Sequence, residues 1–468
     1  MTDLRSRRLA LGKPQSDLAE EVGVRPTDLR KWERGLELPP HDILRKLAKA
    51  LSCSFDVLER EQRVFMDEAT PGEGYRTEHV NGDALIPREV QPAAGMLRVL
   101  DLFCGSGGFS YGFELTKRFV VTGGLDLLTD RAETFRTNHP TATTILRDIR
   151  NVGMSELGDA ALNPDIVIGG PPCQGFSSIR PFRALTEGDK RNNLFEHFAL
   201  VVAGLRPKWF VLENVVGLLT HGGSNALPQL LTAFTAAGYK TEYRVLNAAS
   251  YGLPQNRERL IVVGSREGQK FEWPKPTHYT NHRSMAGRSA PKVYVDPLFN
   301  PQVQPAVTIM EAIHDLPPLQ SGEESSAYRA DVEPTPYEWR MRGDEKRLTL
   351  HDATRHSPRM LAIIRKAGRN RAALPRGMTS SGFSSSYSRL RPDEPSVTLT
   401  VNFVHPASNK CIHPFQDRAL TPREGARLQG FPDRFVFAGT RSQLVKQIGN
   451  AVPPILGQLI AEALAEQW

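Results

Sequence analysis

Leu97-Arg-Val-Leu-Asp101-Leu-Phe103-Cys104-Gly105-Ser106-Gly107-Gly108-Phe109 runs from an apolar stretch into a glycine-rich turn and then into a segment of helical pattern. A helix that opens there presents unpaired backbone N–H groups, and glycines let the backbone approach a ligand. Outward from this stretch, short apolar runs alternate with amphipathic segments. The expected strands are Leu97–Phe103, Phe119–Asp126, Asp165–Gly170, Trp209–Glu213 and Arg259–Gly264, with helical patterns such as Ala132–Asn138 and Phe195–Leu205 between them. That alternation predicts βαβ units, a mainly parallel sheet and the α/β class. Asp126 ends the second strand, where a carboxylate would hydrogen-bond ribose hydroxyls; capping the next helix is its plainer role. Together the strand, turn, helix and acid favour a nucleoside cofactor without saying which.

Composition narrows the classes further. The 468 residues suggest about three units of ~150 residues. Hydrophobic residues at 40% and charged residues at 24% sit near the norm for globular chains, so disorder is not the dominant expectation. Cys53, Cys104, Cys173 and Cys411 form no CxxC pair, which argues against a zinc site or a disulfide scaffold and for a reducing compartment. No metal is expected. The polar start and the lack of an 18-residue apolar run predict neither a secretory signal nor a membrane span. A net charge of +7 permits a polyanionic partner. Nine basic and no acidic residues lie between Asp352 and Asp393, Arg365 and Lys366 among them. Alone, such a run reads as a solvated face; beside other nucleic-acid signals it gains weight.

Residues 1–60 read as a compact helical unit, and 61–95 as a linker containing Pro-Gly-Glu-Gly. Within the unit, Gln15-Ser-Asp-Leu-Ala-Glu-Glu-Val-Gly23-Val-Arg-Pro-Thr27-Asp-Leu-Arg30-Lys31-Trp32-Glu-Arg-Gly35 resembles the phage-repressor class of helix-turn-helix domains. That resemblance implies that Thr27, Arg30 and Lys31 reach DNA from the third helix. A small protein-binding bundle is the plainer alternative, and 12 basic against 10 acidic side chains do not separate the two.

Gly169-Gly-Pro-Pro172-Cys173-Gln-Gly-Phe-Ser177 follows an apolar strand, at the end where α/β sites are built. Structural cysteines sit inside apolar elements; a thiol in a Pro/Gly loop is placed to react. Cys173 is therefore the candidate nucleophile, and Cys104 and Cys53 fit the structural role. With Glu213-Asn-Val215, Arg191-Asn-Asn-Leu-Phe195, Gln255-Asn-Arg257-Glu-Arg259, Arg427-Leu-Gln-Gly-Phe-Pro432 and Gln447-Ile-Gly-Asn450-Ala-Val-Pro-Pro454, the chain resembles the DNA (cytosine-5)-methyltransferases. The motifs run in that family's unpermuted order and span 97–468.

The resemblance implies a Rossmann-like lobe at 96–275 binding S-adenosylmethionine, a smaller target-recognition lobe at 276–439, and a segment at 440–468 returning to the first lobe. It implies Cys173 as the nucleophile that adds to cytosine C6, because C5 is itself a poor nucleophile. Glu213 would pair with cytosine N3 and N4, while Arg257 and Arg259 would hold the base's O2 and the loop or a phosphate. Phe103, Ser106, Gly108, Asp126, Asp148 with Ile149, Pro172, Asn450 and Val452 match cofactor positions, Asp148 taking the adenine amino group. Implied partners are double-stranded DNA, with the target base flipped out, and a cognate restriction endonuclease. A monomer would act in catalysis, dimerisation through the helix-turn-helix and repression of the chain's own gene stay open, and the expected place is the bacterial cytoplasm beside the nucleoid. Two rivals stand beside this reading: the tRNA-cytosine branch of the family, and a repressor whose methyltransferase fold has lost activity.

Overall fold

The computed structural model describes residues 4, 7–8, 11, 13–33, 39–55, 57–58, 84–172, 193–220, 226–282, 284–285, 291–293, 295–375, 377–379 and 384–468. They fall into two units, Met1–His79 and Val80–Trp468. In the first, α1 (Gln15–Val22), α2 (Pro26–Trp32) and α3 (His41–Ala50) bury Leu4, Leu18, Val22, Leu29, Trp32, Leu44 and Leu47 in a shared core. Gly23 ends α1 at φ 75°, and its N–H bonds back to Ala19 and Glu20 carbonyls. That left-handed cap makes the expected tight turn, and Pro26 opens α2 as its fixed φ favours. Leu11 lies exposed in a turn.

The second unit is organised by one sheet. Its strands are β1 (Ala84–Ile86), β2 (Leu97–Leu102), β3 (Phe119–Asp126), β4 (Thr143–Leu146), β5 (Ile166–Gly169), β6 (Trp209–Val215), β7 (Lys240–Asn247) and β8 (Glu258–Ser265). Their order is β1-β4-β3-β2-β5-β6-β8-β7. Strands β4, β3, β2, β5 and β6 pair parallel, β8 runs antiparallel between β6 and β7, and β1 is antiparallel to β4. The stretch read as a linker up to residue 95 thus already contributes β1 to the sheet.

Alternation along the strands feeds two cores. Val99, Val121, Ile166, Ile168, Val211 and Ile261 point to one, Leu100, Leu125, Val167, Phe210, Leu212 and Val262 to the other. Both faces being buried explains why the strands read as nearly continuous apolar runs. On the first face lie α4 (Gly108–Leu115) and the C-terminal α13 (Pro454–Glu466), and on the second α7 (Asn193–Leu205) and α8 (Ala226–Ala236), whose Phe113, Ile460, Phe198 and Phe234 join the respective cores. The helices α5 (Thr129–Asn138) and α6 (Met154–Ala160) follow β3 and β4. Backbones of α4 and α13 come so close that a Cβ on Gly112 would meet Pro454 O at 2.2 Å, and one on Gly457 would meet Phe109 O at 2.2 Å. Arg441–Glu466 is apolar enough by length to cross a membrane, but 61% of its most apolar 18-residue window is buried, and Ala451–Pro453 break it into two helices.

Past residue 276 regular structure thins to short helices, α9 (Pro336–Arg342), α10 (Pro358–Arg365), α11 (Pro422–Leu428) and α12 (Arg441–Asn450), joined by long connections. Buried ion pairs hold this part together. Arg427 donates to Asp433 at 2.7 Å and to Asp315 at 3.2 Å, Arg423 to Asp433 at 3.1 Å, and Arg418 to Glu424 at 2.6 Å. The Arg427-Leu-Gln motif is thereby built into the core.

Two neutral histidines serve the same region as acceptors. His413 Nδ1 accepts the Phe415 and Gln416 N–H groups at 3.1 Å, and His356 Nε2 accepts the Ala419 N–H at 3.1 Å. Burial is the largest cause pulling each imidazole down to about 4. Since both folded pKa values lie below the unfolded one, stability is flat above about pH 6.5 and falls as pH drops from there toward 4. The steepest slope is roughly 1.4 kcal/mol per pH unit for each histidine. Urea midpoints at pH 7.5 and 5.0 should differ accordingly, and a His356→Gln/His413→Gln variant should show a flatter profile. An equal loss in that variant would assign the acid sensitivity elsewhere.

Candidate active site

The sheet changes direction of travel at β2, whose neighbours β3 and β5 lead outward on opposite sides. Ligands of open α/β sheets bind at the carboxyl ends beside such a switch point. Registers pairing Leu102 with both Leu125 and Gly169, Gly169 with Leu212, and Val215 with Arg259 bring the sequence-derived candidates to that one edge. Because β8 is antiparallel, its first residues, and not its last, stand beside the end of β6.

Glu213 and Arg259 meet there as an ion pair, Nε to Oε1 at 2.7 Å, with side chains only 10% and 11% exposed. Burial lowers the Arg259 pKa, while Glu213 opposes that shift by charge and hydrogen bond. The other carboxylate oxygen, Oε2, faces Gly170, where an added Cβ would stand 3.0 Å away. Asn214 donates Nδ2–H to Pro171 O at 2.8 Å, tying the end of β6 to the loop that leads to Cys173. Cys173 itself lies outside the described residues, as do Arg191 and Asn192. The described thiols of Cys104 and Cys411 are buried, and burial raises the first well above its ordinary value and the second to about 12.

Arg257, two residues before Arg259, turns elsewhere. It falls between the two-residue strand Gln255–Asn256 and β8, and it donates Nη2–H to Ala451 O at 2.8 Å and Gly449 O at 3.3 Å. It thereby ties the start of β8 to the Gly449–Ala451 backbone. Burial, followed by the nearby Arg259 charge, lowers its pKa strongly.

The glycine turn carries the remaining candidates. Phe103 takes φ 58°, a left-handed backbone unusual for an aromatic residue, and Gly107 caps α4 at φ 83°. Only glycine fits at 107, because a Cβ would meet His139 Nε2 at 2.4 Å. Ser106 is buried, and its Oγ has no hydrogen-bond partner among the described residues. The next strand end supplies Asp126, whose two oxygens accept the Gly105 and Leu128 N–H groups at 2.9 Å each. It therefore both shapes the turn and keeps lone pairs for a hydroxyl. Past β4, Asp148 accepts the Arg150 N–H at 3.0 Å and its Nε–H at 2.9 Å, so a ligand amino group would share this carboxylate with Arg150. Ile149 is buried beside it and Pro172 is half-buried.

Val452 closes the edge from the C-terminal side. A Cβ on Gly108 would meet Val452 O at 2.6 Å, and one on Gly170 would meet Val452 Cγ2 at 3.9 Å. Asn450 is exposed at the end of α12.

Thr27 is exposed on α2; the side chains of Arg30 and Lys31 are outside the described residues. Arg365 is 67% exposed with Nε 3.7 Å from Asp417, and Lys366 is exposed. Two other members of the basic run already have partners, Arg389 within the fold and Arg391 at the surface. Arg389 donates to the His413 and Gln416 carbonyls at 2.8 and 2.7 Å, and Arg391 bonds Asp393 at 2.9 Å.

Residues 97–466 match the family model of the C-5 cytosine-specific DNA methylases, and 4–58 match a helix-turn-helix model. The chain belongs to the C-5 cytosine-specific DNA methylase family. Type II methyltransferase M.AgeI of Thalassovita gelatinovora is 32% identical over 79% of this chain and 99% of its own length. Type II methyltransferase M1.HphI of Haemophilus parahaemolyticus is 34% identical over 79% of this chain and 86% of its own. A crystal structure described as a DNA modification methyltransferase encoded within an E. coli prophage superposes with TM-score 0.60 at 25% identity, covering 79% of this chain and 99% of the other.

Proposed function

We propose that this chain transfers a methyl group from S-adenosylmethionine to C5 of a cytosine in a specific double-stranded DNA site, as the modification partner of a restriction endonuclease or a related system. The observation that carries the reading is the buried Glu213–Arg259 pair, set beside Gly170 and tied through Asn214 to the Pro-Pro-Cys173 loop. S-adenosylmethionine, when bound, supplies an electrophilic methyl on a sulfonium. The turn fits such a group: Ser106 Oγ is a buried donor without a partner among the described residues, at the N-terminus of α4. Phe103, Ser106 and Gly108 would hold it from the turn, Asp126, Asp148 and Ile149 from the next two strand ends, and Pro172, Asn450 and Val452 from across the edge.

On the DNA side, the target base must leave the stack to reach this edge. The Cys173 thiolate adds to C6, and the C5–C6 electron pair moves toward C5, which becomes nucleophilic. Glu213 faces the N3 and N4 edge and offsets the charge that develops on the ring; Arg259 orients Glu213 and lies within reach of O2. Once C5 carries the methyl group, its proton passes to solvent, the C5–H electron pair re-forms the C5–C6 double bond, and the C6–S bond breaks to return the Cys173 thiolate and free the base. The buried, strongly raised thiols Cys104 and Cys411 are poor nucleophiles, which supports Cys173 in the role. The exposed Arg365 and Lys366 suit phosphates. Thr27, Arg30 and Lys31 give the helix-turn-helix a second contact to DNA, through which the chain would repress its own gene; a dimer formed through this unit would fit such a role.

Bisulfite sequencing of DNA from cells expressing the chain should reveal one short sequence methylated at C5 of cytosine. Expression of Cys173→Ser should leave that sequence unmethylated. Methylation confined to tRNA would instead favour the RNA branch of the family.

A further inference from the structure

The cofactor side of the edge and the segment past residue 276 are joined by two buried glutamines that the proposed chemistry does not use. Gln255 and Gln429 are both fully buried. The Gln255 amide donates Nε2–H to Gln429 Oε1 at 2.7 Å and to Leu428 O at 2.9 Å, and its Oε1 accepts the Leu399 N–H at 3.0 Å. Gln429 passes the chain on, donating Nε2–H to Ala451 O at 2.6 Å. Ala451 O also accepts from Arg257, so both its lone pairs are committed.

Each end of this relay has a defined seat. At one end, the ribbon 396–401 pairs parallel with Gln255–Asn256, bonds Thr398 Oγ1–H to Asn256 O at 2.8 Å, and lies so close to α12 that a Cβ on Gly449 would meet Thr400 O at 2.5 Å. At the other end stands the Asn450–Val452 loop, with the Val452 carbonyl against Gly108. A buried amide chain in which both amide nitrogens donate and both amide oxygens accept favours one arrangement, because an unpaired buried amide group costs ~1–3 kcal/mol. A shift of the ribbon is therefore passed to the loop.

We propose that Gln255 and Gln429 are positioning residues that couple the seating of the recognition segment on DNA to the Asn450–Val452 wall, so that DNA binding tightens cofactor binding through them. This inference rests on the function proposed above. Coupling is reciprocal and of the size found between linked sites, roughly tenfold.

The test uses the full chain, unmethylated plasmid DNA, tritiated S-adenosylmethionine, and S-adenosylhomocysteine as a calorimetric probe. Wild type should bind S-adenosylhomocysteine about tenfold more tightly when DNA is present. Gln429→Leu should lose that difference and raise KM for S-adenosylmethionine about tenfold, with kcat within about threefold of wild type. Thr398→Val, a milder change at the rim of the relay, should lose about half of the logarithm of the effect, roughly threefold. A purely structural role would lower kcat in step with the folded fraction and leave KM alone, and that result would overturn the proposal. Should Gln429→Leu fail to fold, Thr398→Val decides: enhancement by DNA equal to wild type refutes the coupling. Wild-type chain that neither binds S-adenosylhomocysteine nor methylates DNA would refute the functional reading and this coupling with it.

Discussion

Cys173→Ser should lower methyl transfer to unmethylated DNA by on the order of 10³-fold or more. A hydroxyl is scarcely ionised near neutral pH and adds poorly to C6, whereas a free thiol is a few per cent thiolate and intrinsically very nucleophilic. Transfer is the step lost, so specific DNA binding should persist and a filter-binding or mobility assay should show it. Cys104→Ser should keep activity, since that thiol is buried beneath the glycine turn with its pKa pushed up first by burial and then by Asp126 and Asp101. Tritium transfer by the Cys173→Ser variant within tenfold of wild type would remove the covalent step from the account.

Glu213→Gln should slow transfer about 10²- to 10³-fold with little change in DNA affinity. The amide oxygen of the substituted side chain can still accept from Arg259, so the local geometry survives. What disappears is the carboxyl that can share a proton with N3, which matters most as negative charge develops on the cytosine ring. Arg259 then keeps a buried charge without its counter-charge, a loss that costs several kcal/mol when a buried pair is broken outright and less when a hydrogen bond remains. Thermal unfolding should therefore be measured beside the kinetics. Activity within about threefold of wild type, in a variant as stable as wild type, would take Glu213 out of the chemistry.

How far the molecule can be read from its residues depends on burial. Strands buried on both faces, such as β2, β5 and β6, are apolar runs and declare themselves. β7 does not, because as the edge strand it mixes Lys240, Glu242 and Arg244 among half-buried positions. β1 is three residues long, too short for periodicity to register, and β4 opens on Thr143-Thr144 rather than on an apolar run. The N-terminal helices were legible through Gly23 and Pro26, whose backbone preferences mark a cap and a start.

At the site, spacing identifies chemistry and misses direction. Arg257 and Arg259 share the i, i+2 spacing that a regular strand would put on one face. The break between Asn256 and Glu258 sends the first to the Ala451 carbonyl and leaves the second on Glu213. Asp126 was legible as an acid at a strand end and Asp148 only through the family resemblance, but not the backbone N–H groups and the Arg150 guanidinium that already engage them. Likewise, nothing in the basic run distinguishes Arg365 and Lys366, which are exposed, from Arg389, which is consumed by backbone carbonyls. Gln255 and Gln429 sat inside motifs already noticed, without a chemistry that would have singled them out.

Fluorine at C5 of cytosine offers the most direct test, because it cannot depart as a cation and so arrests the reaction after methyl transfer. Duplex DNA carrying 5-fluorocytosine at the methylated site, incubated with the full chain and S-adenosylmethionine, should give a complex that survives denaturation. Peptide mapping by mass spectrometry should place the nucleotide on Cys173, and Cys173→Ser should form none. An adduct on Cys104 or Cys411, or turnover of that substrate with no adduct at all, would contradict the account.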